Sequence, residues 1–417
     1  MKVAIIGAGI IGLATAYHLS RRGVDVVIIT DREPGAGASV NNAGWVVPAE
    51  SGPIPAPGLT LQALRWMLRP DSPVYIRPSA RPSFIRFMLG LYRAANARAH
   101  ATGFDATARL AYGTMDELDR WTADGLAFEM HERGELRAYV DRQELRHTIR
   151  EVERYREAVF EPAVLDGDAA RALEPALSDE VVGAIRFPNE RHVEPGSLVR
   201  ALVERLRHAG VAWIEGRVTE GSVTAGRTTR DGQLRIGGAF GEQQADAAVI
   251  AAGAWSGEVA RFFGARLPIR PAKGYSVDYV PAPLAQRIPI MLAEAHCVVT
   301  PFAGKTRVAG TLELGGLDER VSARRVDALR RAPLRYLRNW RPDASSLTPT
   351  AGLRPLTPDG LPVIGRLRAA PNVVVASGHA MLGLTLAPRT SALLAGVLLD
   401  GDDPAVLKPF SPRRFGA

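Results

Sequence analysis

The stretch KVAIIGAGIIGLATAYHLSRRGVDVVIITD, residues 2–31, decides the fold. Residues 3–6 are a short apolar run of strand type, and the glycine-rich segment 7–12 follows directly. Ala14, Ala16 and Leu19 then carry an apolar face at helical spacing, Gly23 stops the helix, and residues 26–29 form the next buried strand. Strand, glycine turn, helix and strand in this order make a dinucleotide cradle. Gly7 permits the tight turn, Gly9 lets a pyrophosphate approach the backbone, and Gly12 lets the helix pack on the strand. Unpaired amides and the dipole at the helix start, around Ile10 and Ile11, favour the diphosphate.

The acid that grips an adenosine ribose belongs at the end of the second strand, about 20 residues on. That spacing falls on Thr30, and the acid comes one place later, at Asp31. Asp31 is expected to be the ribose ligand, alone or sharing the contact with Thr30. The competing reading has Asp31 merely opening a turn with Pro34 and Gly35.

At 417 residues the chain exceeds one typical core, so two domains are expected. An apolar content of 46% with Gly 41 and Pro 30 fits a soluble α/β protein rather than a fibrous or disordered one. The net charge of +8 suggests nucleic acid, but the pattern argues against it. Among 52 basic residues only Lys2, Lys273, Lys305 and Lys408 are lysine, and the arginines are scattered among acids without a basic run. One cysteine, Cys297, excludes an intrachain disulfide and a thiolate metal cluster. The histidines lack metal-ligand spacing, so no metal is expected. Glycines and His18 interrupt the N-terminal apolar run and Arg21-Arg22 follow it, the wrong order for a secretion signal. No apolar run of 18 residues occurs, and a cytoplasmic location is expected.

Motifs of the strand–glycine–helix type return late in the chain. Residues 245–252 read as a buried strand ending in Gly253-Ala-Trp255-Ser256, and residues 372–377 as a strand leading into Gly378-His379 and a helix over 384–399. An amphipathic helix over 196–209 precedes a strand at 211–214. In a doubly wound sheet such turns face a cofactor. Hence the fold class expected is α/β: a Rossmann-like dinucleotide domain (1–50, 196–268 and 348–417) interrupted by a mixed α+β substrate domain (51–195 and 269–347). The second domain has its antiparallel sheet in strand-like, turn-rich residues 274–280, 297–300 and 307–310.

Ordered motifs carry a resemblance along essentially the whole chain. They are residues 7–12; GASVNNAGW at 37–45 with PIPAPG at 53–58; IAAGAWS at 250–256; KGY at 273–275; GTLE at 310–313; GLRPLTPDG at 352–360; and GHAMLG at 378–383. Together they resemble the FAD-dependent amino acid oxidoreductases of the D-amino-acid oxidase superfamily, closest to its D-amino-acid dehydrogenase branch. Family members often read Gly-His-Gly where this chain has Ala380.

The resemblance implies FAD as cofactor. It places Gly7, Gly9, Ile10, Ile11, Gly12, Asp31 and Arg32 on the nucleotide, and Ser39, Asn42, Ala43 and Gly44 along the pyrophosphate and isoalloxazine. Val218 would touch the adenine side, and Ala252, Gly253, Trp255 and Gly352 would line the cleft. Gly378, His379, Met381, Leu382, Gly383 and Leu384 would set a helix start at the flavin edge, where its dipole stabilises negative charge. For Ser39 and Asn42, plain turn chemistry is the competing account. Arg354 of the Gly-x-Arg-Pro motif would grip a substrate carboxylate through its planar fork. Tyr275, two residues along a face from each neighbour and sharing that face with Tyr279, could add a hydrogen bond to the carboxylate or pack in the lid. His379 could act near the ring or be locked by a backbone bond.

The activity implied is oxidative deamination of a D-amino acid, with dehydrogenase favoured over oxidase and a quinone or O2 as electron acceptor. The alternative is a glycine/sarcosine-type oxidase, and a flavin-binding sensor without turnover is a third reading. Apolar clusters at 84–92 and 59–69, flanked by arginines, admit weak peripheral contact with the inner face of a membrane.

Overall fold

The computed structural model describes the chain except residues 59–71, 73, 153–159, 224–232, 344–345 and 403. Its first sheet has six strands in the order Ala212–Glu215, Asp25–Thr30, Lys2–Ile6, Ala247–Ile250, Val373–Ser377 and Val363–Arg366. The first five run parallel and the last is antiparallel. Parallel strands covered on both faces read as unbroken apolar runs, which is why residues 26–29 lack polar alternation.

Side-chain alternation splits this sheet between two cores. Val3, Ile5, Val26, Ile28 and Val249 pack against the helices Ile10–Arg21, Pro195–His208 and Gly383–Leu399. Ala4, Ile6, Val27, Ile29 and Ile250 face the other way, towards Val259 and Ala260 of helix Ser256–Phe262 and Val218 and Ile236 of a small antiparallel sheet. The three strand–glycine–helix places expected from sequence thus border one sheet. Proximity in space replaces proximity in sequence.

The second sheet has nine strands. Its path runs Leu347–Leu356, Arg270–Tyr279, Lys305–Leu314, Cys297–Phe302, Ile290–Leu292, Glu135–Tyr139, Gly183–Phe187 and Ala163–Asp166, with Val74–Ile76 paired to Lys305–Leu314. It is antiparallel except for two pairings: Ile290–Leu292 with Glu135–Tyr139, and Val74–Ile76 with Lys305–Leu314. The expected antiparallel sheet is therefore mixed at these places. Cys297 is buried in it and desolvation pushes its thiol up to about 12, so it serves as a small apolar side chain.

Loop 37–45 joins the two sheets, and buried polar contacts hold it. Arg307 is clamped by Asp278 and donates to the carbonyls of Val40 and Asn42 at 2.9 and 2.7 Å. Ser276 Oγ donates to Asn41 O, and Asn41 Nδ2 donates to Ala351 O. The second sheet thereby sets the position of a loop whose other end begins at the first sheet.

Candidate active site

A cleft of about 410 Å³ runs between the carboxyl ends of the parallel strands and the Arg270–Tyr279/Leu347–Leu356 edge. At its first end Gly7 adopts φ 108°, and a Cβ there would lie 2.6 Å from Ala251 O. A Cβ on Gly12 would lie 2.0 Å from Gly7 O, so Gly12 packs helix on turn and does not itself border the cleft. At Gly9 a Cβ would meet only Ser39 Oγ, at 3.3 Å, leaving the cleft side open. Helix Ile10–Arg21 starts there with no acid in its first turn, and Ile10 N donates to Ser39 Oγ at 2.9 Å. This is a ready anion seat.

Asp31, Arg32, Val218, Ala252, Gly253 and Trp255 border the same end. Thr30 Oγ1 donates to Arg32 O within its own turn, whereas Asp31 Oδ2 accepts from Arg217 Nε at 3.0 Å. Arg32 stacks over the Trp255 ring at 4.7 Å and pairs with Glu319, which ties the first sheet to the loop after Leu314.

Loop 37–45 divides in two. Ser39 and Asn42 reach the cleft; Ala43 and Gly44 do not. The chain has already turned towards strand Trp45–Val46, and a Cβ on Gly44 would strike Val193 O at 2.4 Å. The expectation that Ala43 and Gly44 line the cleft is thus corrected. Asn42 also does turn chemistry, donating to Ser39 O and accepting from Gly44 N.

At the opposite end stands Arg354. Its strand places it opposite Ala272 and next to the Gly274–Gly352 pair. The guanidinium lies across Gly274, where a Cβ would come within 2.3 Å of Nη2. Nη1 donates to Thr311 O at 2.7 Å, and Thr311 holds a left-handed φ of 65°, a strained conformation for a β-branched residue. Among the described residues no carboxylate pairs with Arg354. Desolvation lowers its pKa to about 10, still well above neutrality. A half-buried cation with one carbonyl partner and an adjoining cleft calls for an anionic ligand.

His379, Met381, Gly383 and Leu384 also border the cleft. His379 is 3% exposed, and desolvation drives its pKa down to about 3, so the imidazole is neutral at pH 7. Ala380 takes φ 47° and donates its amide to Pro355 O at 2.9 Å, linking the helix start to the Arg354 strand. Gly378 and Leu382 sit behind: a Cβ on Gly378 would meet Thr357, and Leu382 is the N-cap of helix Gly383–Leu399.

Tyr275 stands elsewhere. It shares a face with Tyr279, as alternation requires, but that face packs into the core behind the sheet with Val277 and Trp340. Gly274 and Ser276 take the face towards the cleft and loop 37–45. The Tyr275 phenol donates to Glu313 Oε2 at 2.9 Å, and Tyr275 does not border the cleft. A substrate contact for Tyr275 is therefore withdrawn.

Sequence reasoning missed Gly274 and Thr311 as partners of Arg354. Both lie inside motifs that carried the resemblance, KGY and GTLE, but the residue types there gave no chemical reason to pick them. Gly216, Arg217 and Ser377 on the cleft were missed too.

Residues 2–396 match the family of FAD-dependent oxidoreductases. The chain belongs to this family. It is 33% identical over 411 residues to a D-amino acid dehydrogenase of Granulibacter bethesdensis, covering 95% of this chain and 96% of that one. A D-amino acid dehydrogenase of Cereibacter sphaeroides is 32% identical over 421 residues, covering 97% and 93%. Among solved structures, glycine oxidase from Geobacillus kaustophilus superposes with a TM-score of 0.74 at 23% identity, over 98% of this chain and 97% of that one. Iminodiacetate oxidase from Chelativorans sp. gives 0.73 at 24% identity, over 98% of each. These likenesses show the fold.

FAD is the cofactor of the family, and the residues present suit it. The cleft side of Gly9 is open, the helix start beside it is free of acid, and the cleft continues past Ser39 and Asn42 to the start of helix Gly383–Leu399. Among the described residues no group of three or more His, Cys, Asp or Glu side chains could hold a metal.

Proposed function

We propose that the protein oxidises a D-amino acid at Cα to the imino acid, which water converts to a keto acid and ammonia. The observation that carries this reading is Arg354: half-buried, unpaired with any described carboxylate and bordering the cleft. Bound FAD supplies the hydride acceptor, and the protein's part is to bind, aim and exclude. Arg354 receives the substrate carboxylate in its fork, while Thr311 O and the bare Gly274 backbone keep that fork in one place. His379 stays neutral and adds no charge beside the substrate. No general base is required if the amine arrives unprotonated.

Ser39 would meet the diphosphate, Asp31 the ribose, and the start of helix Gly383–Leu399 the reducible edge of the ring. Residues 1–50, 196–268 and 348–417 would form the FAD unit, and 51–195 with 269–347 the substrate unit. Support for D-amino acids comes from relatives at 33% and 32% identity that bear that name. Their dehydrogenase name favours a quinone or another acceptor over O2.

Weak membrane contact is part of the proposal. Helix Pro82–Ala94 exposes Ile85, Leu89 and Tyr92 at helical spacing beside Arg86 and Arg93. The second apolar cluster, 59–69, lies outside the described residues. Among the described residues no helix is long and apolar enough to cross a membrane.

One experiment tests the reading. The yellow holoprotein is mixed without oxygen with a panel of D-amino acids, glycine, sarcosine and L-amino acids. Bleaching by D-amino acids, persisting in air until a quinone is added, is the expected result. Bleaching by glycine or sarcosine alone would move the activity to small amines, and no bleaching by any of them would end the proposal.

A further inference from the structure

Away from the FAD cleft, a cavity of about 340 Å³ opens between the start of helix Pro82–Ala94 and the end of strand Lys305–Leu314. Arg77, Arg81 and Arg270 line it together with Ser79, Gly315 and Gly316, and among the described residues no acid lines it. Elsewhere on this arginine-rich surface guanidiniums are neutralised by neighbours: Arg320 by Asp318, Arg330 and Arg331 by Asp327, Arg335 by Glu180. Among the described residues Arg77, Arg81 and Arg270 have no ion pair.

Arg270 is the least free of the three. It donates to Ser83 Oγ at 2.7 Å and its guanidinium stands 5.7 Å from the Phe84 ring centre. Burial comes first among the causes that lower its pKa, followed by the charges of Arg81 and Arg261. Like charges are thus gathered round a space with none of them ion-paired among the described residues, an arrangement that a bound anion relieves.

We infer that this cavity binds a phosphate group. A carboxylate offers two oxygens and is satisfied by one guanidinium fork, whereas a phosphate offers three or more acceptors to several forks at once. The cavity exceeds the group itself, leaving room for the remainder of a phosphate ester. One turn further along the same helix the exposed stripe Ile85, Leu89 and Tyr92 begins. An acidic phospholipid headgroup and free phosphate share the chemistry, and the stripe suits the lipid.

The test uses FAD-loaded protein and a triple variant, Arg77→Gln/Arg81→Gln/Arg270→Gln. Binding is measured to inorganic phosphate and, separately, to phosphatidylcholine vesicles with and without phosphatidylglycerol. A control variant, Arg142→Gln/Arg146→Gln/Arg150→Gln, removes equal charge from an exposed helix elsewhere. Flavin absorbance and thermal midpoint check that both variants fold.

The expected result is binding that weakens at least tenfold in the cavity variant and stays unchanged in the control. Binding to phosphatidylglycerol vesicles alone identifies the headgroup, and binding to inorganic phosphate identifies a free-anion site. No binding to either probe, or equal losses in the cavity and control variants, overturns the inference. Bleaching of the flavin by amino acids is a separate readout, so failure here leaves the proposed activity standing.

Discussion

At the glycine-rich end of the cleft, proposed for the nucleotide, residues 7–12 supply turn, floor and helix start within one short segment. At the far end, Arg354, Gly274 and Thr311 meet from three different strands. The first end works through backbone: bare glycine positions and a helix start without acid. The second works through one side chain whose charge is left for a ligand. A backbone site leaves its ligand no room beside an added side chain, while a side-chain site depends on what holds the chain in its pose. The two ends should therefore fail differently.

The largest expected effect is at Gly9. A Cβ there meets only Ser39 Oγ in the empty fold, and valine's methyls would fill the space proposed for a diphosphate. Gly9→Val should fold with a normal circular dichroism spectrum and purify colourless, its FAD affinity at least about a hundredfold lower by flavin fluorescence titration. A yellow, fully loaded variant would mean the diphosphate lies elsewhere.

Gly274→Ala should break the other end without touching the first. A Cβ within 2.3 Å of Nη2 must push the guanidinium aside. Overpacking of this kind costs about 1–3 kcal/mol, so KM should rise about tenfold or more while FAD stays bound. An unchanged KM would show that Arg354 reaches its ligand in another pose.

How far each end was legible follows from the same contrast. Residues 7–12 could be read directly because turn, helix and strand lie in one segment with fixed spacing. Arg354 could be chosen among many arginines only through motif context, and its partners not at all: Thr311 and Gly274 are set by strand register, which local sequence does not encode. Tyr275 went astray for the related reason that period-2 alternation tells which residues share a face but not which face meets the cleft. Gly12 reads in sequence both as helix–strand packing and as a nucleotide contact, and it packs beneath the turn without bordering the cleft. The departure at Ala380 was visible in advance, and its physical expression is a positive φ.

A smaller effect concerns His379, buried beside the cleft with its pKa lowered to about 3 from an unfolded value near 6.5. Between those values the unfolded chain binds the proton and the folded chain does not. Stability on its account is therefore present above pH 6.5 and is lost as pH falls towards 3, by at most about 1.4 kcal/mol per pH unit. His379→Gln should flatten part of the acid limb of a denaturant-midpoint profile. An unaltered limb would mean the imidazole is protonated in the fold.

The smallest effect is at Ala380. Left-handed backbone costs a residue with a Cβ about 1 kcal/mol, and glycine escapes it. Ala380→Gly should raise the thermal midpoint by about 2 °C with KM unchanged. A fall would show that Ala380 earns its conformation through packing with Phe87 and Leu356.

On the proposed reading, Arg354 holds the substrate's carboxylate. Anaerobic flavin bleaching, followed against D-amino acid concentration in wild type and Arg354→Ala, tests it most directly. Losing one partner of a desolvated charge pair costs about 3–5 kcal/mol, so half-saturation should move up at least about a hundredfold with FAD still bound. Half-saturation at the wild-type concentration would contradict the account.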